Sequence, residues 1–143
     1  MEEKLAFLDE HYLSHFDYLD VDSVIQEQKA FGACRDVTLE YPVAENEGEE
    51  DNTYLSYNMV VGNAADSQMA MAFEVLDYAL LSAPGAPLKQ ALLDVKAGKD
   101  VYGSYDDGIL QPYFTVIAKG SNPDRKEEFV SVIRQVLGDI VKN

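Results

Sequence analysis

From Asp36 to Val43 the apolar residues Val37, Leu39, Tyr41 and Val43 alternate with Thr38, Glu40 and Pro42, the period of a strand with one wet face. Pro42 has no amide hydrogen to give to a ladder, so the strand ends there or runs along an edge. Thr53 to Val61 alternates in the same way, with Leu55, Tyr57, Met59 and Val61 on one face. Between the two lies the run Glu45-Asn46-Glu47-Gly48-Glu49-Glu50-Asp51, whose self-repulsion and lack of apolar anchors predict a mobile loop. The pattern therefore predicts a β-hairpin made of these two strands. Ahead of it, Leu5, Leu8, Tyr12 and Phe16 fall near one stripe and predict a helix over Lys4 to Phe16. Asp20 to Phe31 reads as an irregular or short helical connector, and Gly32 to Arg35 as a turn.

After the turn Gly62-Asn63-Ala64-Ala65, Asp66 is placed to cap a helix by accepting from its free first-turn amides. Met69, Ala72, Phe73, Leu76, Ala79 and Leu80 recur every three or four residues and predict a broad buried face; at this spacing the methionines read as core rather than as an adaptable groove. Pro84 stops that helix near Ser82, and Pro87 suits the first position of the next. Gly98 is the expected left-handed cap after Lys96 and Ala97. Asp100 to Tyr105 and Ile109 to Lys119 flank Asp106-Asp107-Gly108, an Asp-Gly step that supplies positive φ, and predict a second hairpin. Residues 113–118 are apolar on both faces, which places that strand in the centre of the sheet. Asn122-Pro123 then opens a helix whose Phe129, Val132, Ile133, Val136, Leu137 and Ile140 form one stripe.

The predicted order is helix, two strands, two helices, two strands, helix. Hairpins followed by helices favour an α+β fold, a two-layer sandwich of a mostly antiparallel sheet with helices packed on one face.

A chain of 143 residues fits one domain and buries roughly 68–70% of its unfolded surface, enough for a core. With 47% hydrophobic and 10% aromatic residues it has a globular and not a disordered composition. No apolar run approaches membrane-spanning length, and Met1-Glu2-Glu3-Lys4 lacks the basic and apolar regions of a signal peptide, so the expectation is a soluble, cytoplasmic chain with no membrane partner. The formal charge of −15 with only 11 Lys and Arg argues against nucleic acid, whose recognition needs clustered cations. Such a surface favours solubility first and attraction of basic peptides second.

Candidate chemistry is sparse. His11 and His15, in His-Tyr-Leu-Ser-His, have the i, i+4 spacing of a ligand pair, but two ligands fall short of a metal site, so surface or packing roles are expected. The single Cys34 has no partner for an internal disulfide and no base in its pattern, and reads as a small core residue. The acidic run lacks the Asp-x-Asp-x-Asp-Gly spacing of a calcium loop. No catalytic, cofactor-binding or metal-binding residue is assigned to this chain.

One stretch carries more. Tyr78 to Asp100 places an apolar helix before the turn Pro84-Gly85-Ala86-Pro87-Leu88, a second helix and Gly98. With Tyr41-Pro42-Val43, Thr53 to Val61, and Ile109-Leu110-Gln111-Pro112 through Gly120, this order resembles the presequence-protease branch of the pitrilysin and insulinase zinc metallopeptidases, loosely before Asp36. That family's zinc site needs a helical His-x-x-Glu-His, two imidazoles one turn apart around a water-activating glutamate. The motif is absent here, and Ser14 stands where the glutamate belongs between His11 and His15. The resemblance therefore implies a non-catalytic second domain with the family's α/β roll. Residues 1–35 would be a helical lead-in or linker and 36–143 a partial domain continuing past Asn143.

By the same resemblance, zinc lies in the parent protein and not in this chain. The partners implied are the zinc-bearing and other domains of a longer chain, together with peptide substrates. In the family's catalytic partner domain, the comparable helix carries an arginine and a nearby tyrosine that polarise the scissile carbonyl. Here that helix offers Lys89, followed by Asp100 and Val101, with Tyr102 out of register. Helix faces or sheet edges left uncovered by a partial domain would promote self-association. The alternative is a free-standing acidic α+β module that binds proteins or peptides. A longer reading frame with His-x-x-Glu-His upstream favours the first reading, and a short frame the second.

Overall fold

In the computed structural model, which describes residues 1–142, helix α1 (Glu2–His11) comes first, followed by a short 3-10 turn (Leu13–His15). Strand β1 (Thr53–Val60) leads to helix α2 (Ser67–Asp77), which widens into a π-helical turn (Tyr78–Ser82) before helix α3 (Pro87–Asp94). Strands β2 (Asp100–Asp106) and β3 (Tyr113–Ser121) follow, and a 3-10 turn (Pro123–Arg125) opens helix α4 (Lys126–Lys142).

β3 is the middle strand of a three-stranded sheet of order β1-β3-β2, with both pairings antiparallel. Its composition explains the position. Phe114, Val116 and Ala118 are buried against the helices, while Thr115 on the opposite side is also buried. Across the ladder Leu55 faces Ala118, Tyr57 faces Val116 and Met59 faces Phe114 on one side, and Val101 faces Ala118 on the other. The predicted second hairpin forms, and the α+β class with helices on one sheet face holds.

The core lies between that face and α3, α4 and the π-helical turn. Leu81, Leu88, Leu92, Phe129 and Ile133 are all essentially removed from solvent. Leu88 and Leu92 sit one turn apart on α3, and Phe129 and Ile133 one turn apart on α4, so each helix turns a single stripe inward. Pro87 occupies the first turn of α3, where its missing amide costs nothing. The Asp66 carboxylate caps α2 by accepting from the Met69 amide at 3.0 Å.

Several expectations are overturned. Residues 36–43 form no strand; Val37 and Leu39 are exposed, and β1 pairs with β3 instead of making the first hairpin. β3 offers β1 two apolar faces and a full row of amides, whereas Asp36 to Val43 offers a proline and a like-charged loop. The helix predicted to reach Phe16 stops at His11, and Leu5, Leu8, Tyr12 and Phe16 are exposed, with no strand or later helix among the described residues covering their stripe.

α2 buries none of its residues outright; Met69 and Leu76 are exposed, and burial falls on Leu80 and Leu81 where the helix widens. The left-handed residue after α3 is Lys96, at φ 55°, not Gly98. Gly98 is required for a different reason, since a Cβ there would stand 2.7 Å from the Lys119 carbonyl oxygen. Gly108 is not among the positive-φ glycines; its amide donates to Asp106 Oδ1 at 3.0 Å, and the connection closes as an Asx turn. Asn122 stands just before its helix without capping it, because its side chain is committed to Asp51.

Candidate functional site

The residues singled out in the sequence are scattered. His11 lies on exposed α1, stacks on Phe7 with ring centroids 4.2 Å apart, and its Nδ1 donates to the Phe7 carbonyl oxygen at 3.0 Å. His15 is exposed in the following turn. Cys34, expected in the core, is exposed. Among the described residues no group of three or more His, Cys, Asp and Glu gathers as a ligand set.

Lys89 pairs with Asp100 at 3.3 Å on the surface. Val101 points into the core, so by strand alternation Tyr102 points to the helix-free face of the sheet while Lys89 comes from the helical layer. The two are not brought together. The pairing with Asp100 occupies Lys89 in a contact that exposure makes weak.

Sequence reasoning missed the helix-free sheet face. Thr115 Oγ1 donates to Asn58 Oδ1 at 2.6 Å, and Ser56 Oγ donates to the same oxygen at 3.0 Å, so β1 and β3 share a polar network in mid-sheet. Register places Ile117 between Ser56 and Tyr102, and Tyr54 beside Lys119. At the far end the Tyr113 hydroxyl donates to Asp106 Oδ2 at 3.1 Å, and this acceptor, with its charge, holds the phenol above its ordinary pKa. Tyrosines bordering Ser, Asn and Thr give rigid rings beside adaptable hydrogen-bonding groups, a composition suited to contacting other polypeptides. The signal was present in the alternate positions 54, 56, 58 and 113, 115, 117, which a search for nucleophiles and ligands passes over.

Tyr105, on the opposite face, stacks on Phe73 of α2 at 5.4 Å. Burial pushes its phenol up first, and the Asp107, Glu74 and Asp66 carboxylates push it further.

The first fifty residues form an arm that buries nothing of its own. Polar contacts tether it to the connections flanking the strands and to α4: the Gln28 amide donates to Gln111 Oε1 at 2.6 Å, Asn63 Nδ2 donates to Glu27 Oε1 at 2.5 Å, Asp36 pairs with Lys126, and the Tyr41 hydroxyl donates to the Asn52 carbonyl oxygen. Between arm and β2–β3 connection lies an open hollow of about 580 Å³ lined by Ile25, Gln28, Ala64, Ile109 and Gln111 among others. The arm exposes Phe16, Leu19, Val24, Ile25, Phe31 and Leu39. No helix among the described residues is long and apolar enough to cross a membrane. Among the described residues the arrangement offers surfaces for contact.

Comparison with known proteins gives the family. The family described as the peptidase M16 inactive domain matches residues 3–143. Protein HypA of Clostridium perfringens (strain 13 / Type A) is 40% identical over 142 residues, which is 99% of this chain and 15% of that protein. The chain thus spans a small part of that relative's length.

Proposed function

Because this chain belongs to the peptidase M16 family and matches its inactive domain, we propose that it is a wall segment of a zinc-dependent metalloendopeptidase that degrades unfolded peptides. It is a non-catalytic part of an M16 peptidase-like protein. In the proposed role it shapes the peptide chamber and packs on a zinc-bearing domain of the same longer chain, in the cytoplasm and within the presequence-protease branch. The observation that carries the reading is the family match, which runs from the arm to α4. Two surface features support it. The arm presents large, exposed apolar side chains, as a segment packed on further domains would. The helix-free sheet face is broad, tyrosine-bordered and polar at its centre, suited to extended peptides of varied sequence. The isolated chain is expected to self-associate through the same apolar arm.

The test is reconstitution. The 143-residue chain is mixed with the zinc-bearing region of a longer M16 protein that contains it, and peptide cleavage is followed. Cleavage that needs both parts, with zinc only on the other part, is the expected result. Tight zinc binding by this chain alone, with hydrolysis that depends on it, overturns the reading. A monomeric light-scattering mass at all concentrations refutes the self-association.

A further inference from the structure

Asp77 ends α2 where the helix widens into the π-helical turn, and its Oδ1 is buried with no hydrogen-bond partner. It rests against β2 at Gly103, where a Cβ would stand 2.3 Å from Leu81 Cδ1, 2.4 Å from the Thr115 carbonyl oxygen and 3.5 Å from Asp77 Oδ1. The seam is closed so tightly that glycine alone fits on the strand side, and Asp77 Oδ1 lies inside it while the residue as a whole stays partly exposed. Neither residues 67–82 nor β2 contains a Lys or Arg, so no cation from the elements forming the seam offsets the charge. The ionisable groups along it are Glu74 one turn earlier on α2, Tyr78 in the π-helical turn, and Asp100, Tyr102, Tyr105 and Asp106 on β2, of which Tyr105 shares the inward face with Gly103. Each is neutral or negative at pH 7.

We propose that Asp77 is a protonation-controlled seat for α2, which packs firmly on β2 when this carboxyl is neutral and loosens from the sheet when it is ionised. A buried unpaired carboxylate is among the costlier groups a fold can hold, whereas the neutral acid is tolerated. α2 has few other anchors: it buries no residue fully, and its seat rests on Phe73 against Tyr105 and Phe114 and on Leu80 and Leu81 just beyond. Helices widened by a π-turn frequently mark places where a chain adjusts. Burial raises the carboxyl's pKa above its ordinary value. The sign follows. Below the unfolded-state pKa, near 3.9, both states are protonated and the seat is intact. As pH rises through the raised folded-state value, α2 progressively loses its seat.

The test is amide hydrogen exchange by NMR on the whole chain from about pH 3.9, the unfolded-state pKa, up to pH 8, corrected for intrinsic rates, with carbon-detected titration of the Asp77 carboxyl. In the wild type, protection in residues 67–82 should fall several-fold as pH rises while β3 stays protected, with the carboxyl titrating above the ordinary aspartate range. Asp77→Asn should keep its protection at pH 8. Loss spread equally over β3, an ordinary Asp77 titration, or pH-dependent loss that persists in Asp77→Asn each overturns the proposal. Should the variant fail to fold, the wild-type titration and the regional pattern of exchange still decide it.

Discussion

Asp51 and Asn122 hold each other across 71 positions of sequence: the Asp51 amide donates to Asn122 Oδ1 at 2.9 Å, and Asn122 Nδ2 donates to Asp51 Oδ1 at 2.7 Å. The clasp joins the end of the arm to the junction of β3 and α4, and Lys99 adds a contact at 3.3 Å. The bond from Asn122, then that from Lys99, holds the Asp51 carboxyl below its ordinary pKa, against the opposing effect of desolvation. For a lowered carboxyl, the stability it contributes is present above the unfolded value and lost as pH falls through the folded one. Asn122→Ala should therefore raise the Asp51 pKa toward the ordinary carboxylate value, read by NMR titration. It should also open residues 44–52 to limited proteolysis. An unmoved Asp51 titration would show the clasp to be absent in solution.

Gly103→Ala should cost about 3 kcal/mol, the upper end for overpacking, because the new methyl meets Leu81 Cδ1 and the Thr115 carbonyl oxygen at once. Urea denaturation followed by circular dichroism measures it. A loss below about 0.5 kcal/mol, the range of an ordinary surface change, would mean that the π-helical turn does not press on β2 as described.

Leu92→Ala should destabilise by about 2–5 kcal/mol, since the side chain is fully buried between α3, α4 and the sheet. Leu39→Ala should change stability by no more than about 0.5 kcal/mol, since this residue is 84% exposed. The pair distinguishes the observed fold from the hairpin suggested by alternation, in which Leu39 would be core. Comparable losses at both positions would restore that hairpin.

Lys96→Gly should raise stability by about 0.5–1 kcal/mol, because a lysine held at φ 55° bears a left-handed penalty that glycine lacks. The gain, partly offset by the greater freedom of glycine in the unfolded chain, is read from the urea midpoint. A loss would place the strain elsewhere.

What the sequence disclosed follows from where the fold depends on local chemistry. The Asp66 cap, the break at Pro84, the start at Pro87 and the central position of β3 rest on side chains acting within a few residues of themselves. The pairing of β1 does not. Thr53–Val60 alternates equally well for either neighbour, and the choice falls to β3, whose apolar residues on both faces reward two partners. Asn122 looked like a cap because Asn before Pro favours one, yet a long-range partner claimed its side chain. Lys96 and not Gly98 took the left-handed angle, because Gly98 is pressed against the Lys119 carbonyl oxygen. The polar network of Ser56, Asn58 and Thr115 left its alternating positions in the sequence, but joining them needed two strands far apart in sequence to lie side by side. His11, His15 and Cys34 were legible only as single residues, and the fold leaves them single.

The seating of β3 between β1 and β2 has a consequence for biogenesis. A ribosome adding roughly 5–20 residues each second releases β1 well before Tyr113–Ser121 exists, so this sheet cannot form until β3 has been made. Meanwhile a bare strand with Leu55, Tyr57 and Met59 along one side waits beside an unpacked arm, open to chaperones and to wrong partners. Shortening the nascent chain before Tyr113 would leave both outer strands without the one they share, so β3, made after both, decides whether either of them pairs at all.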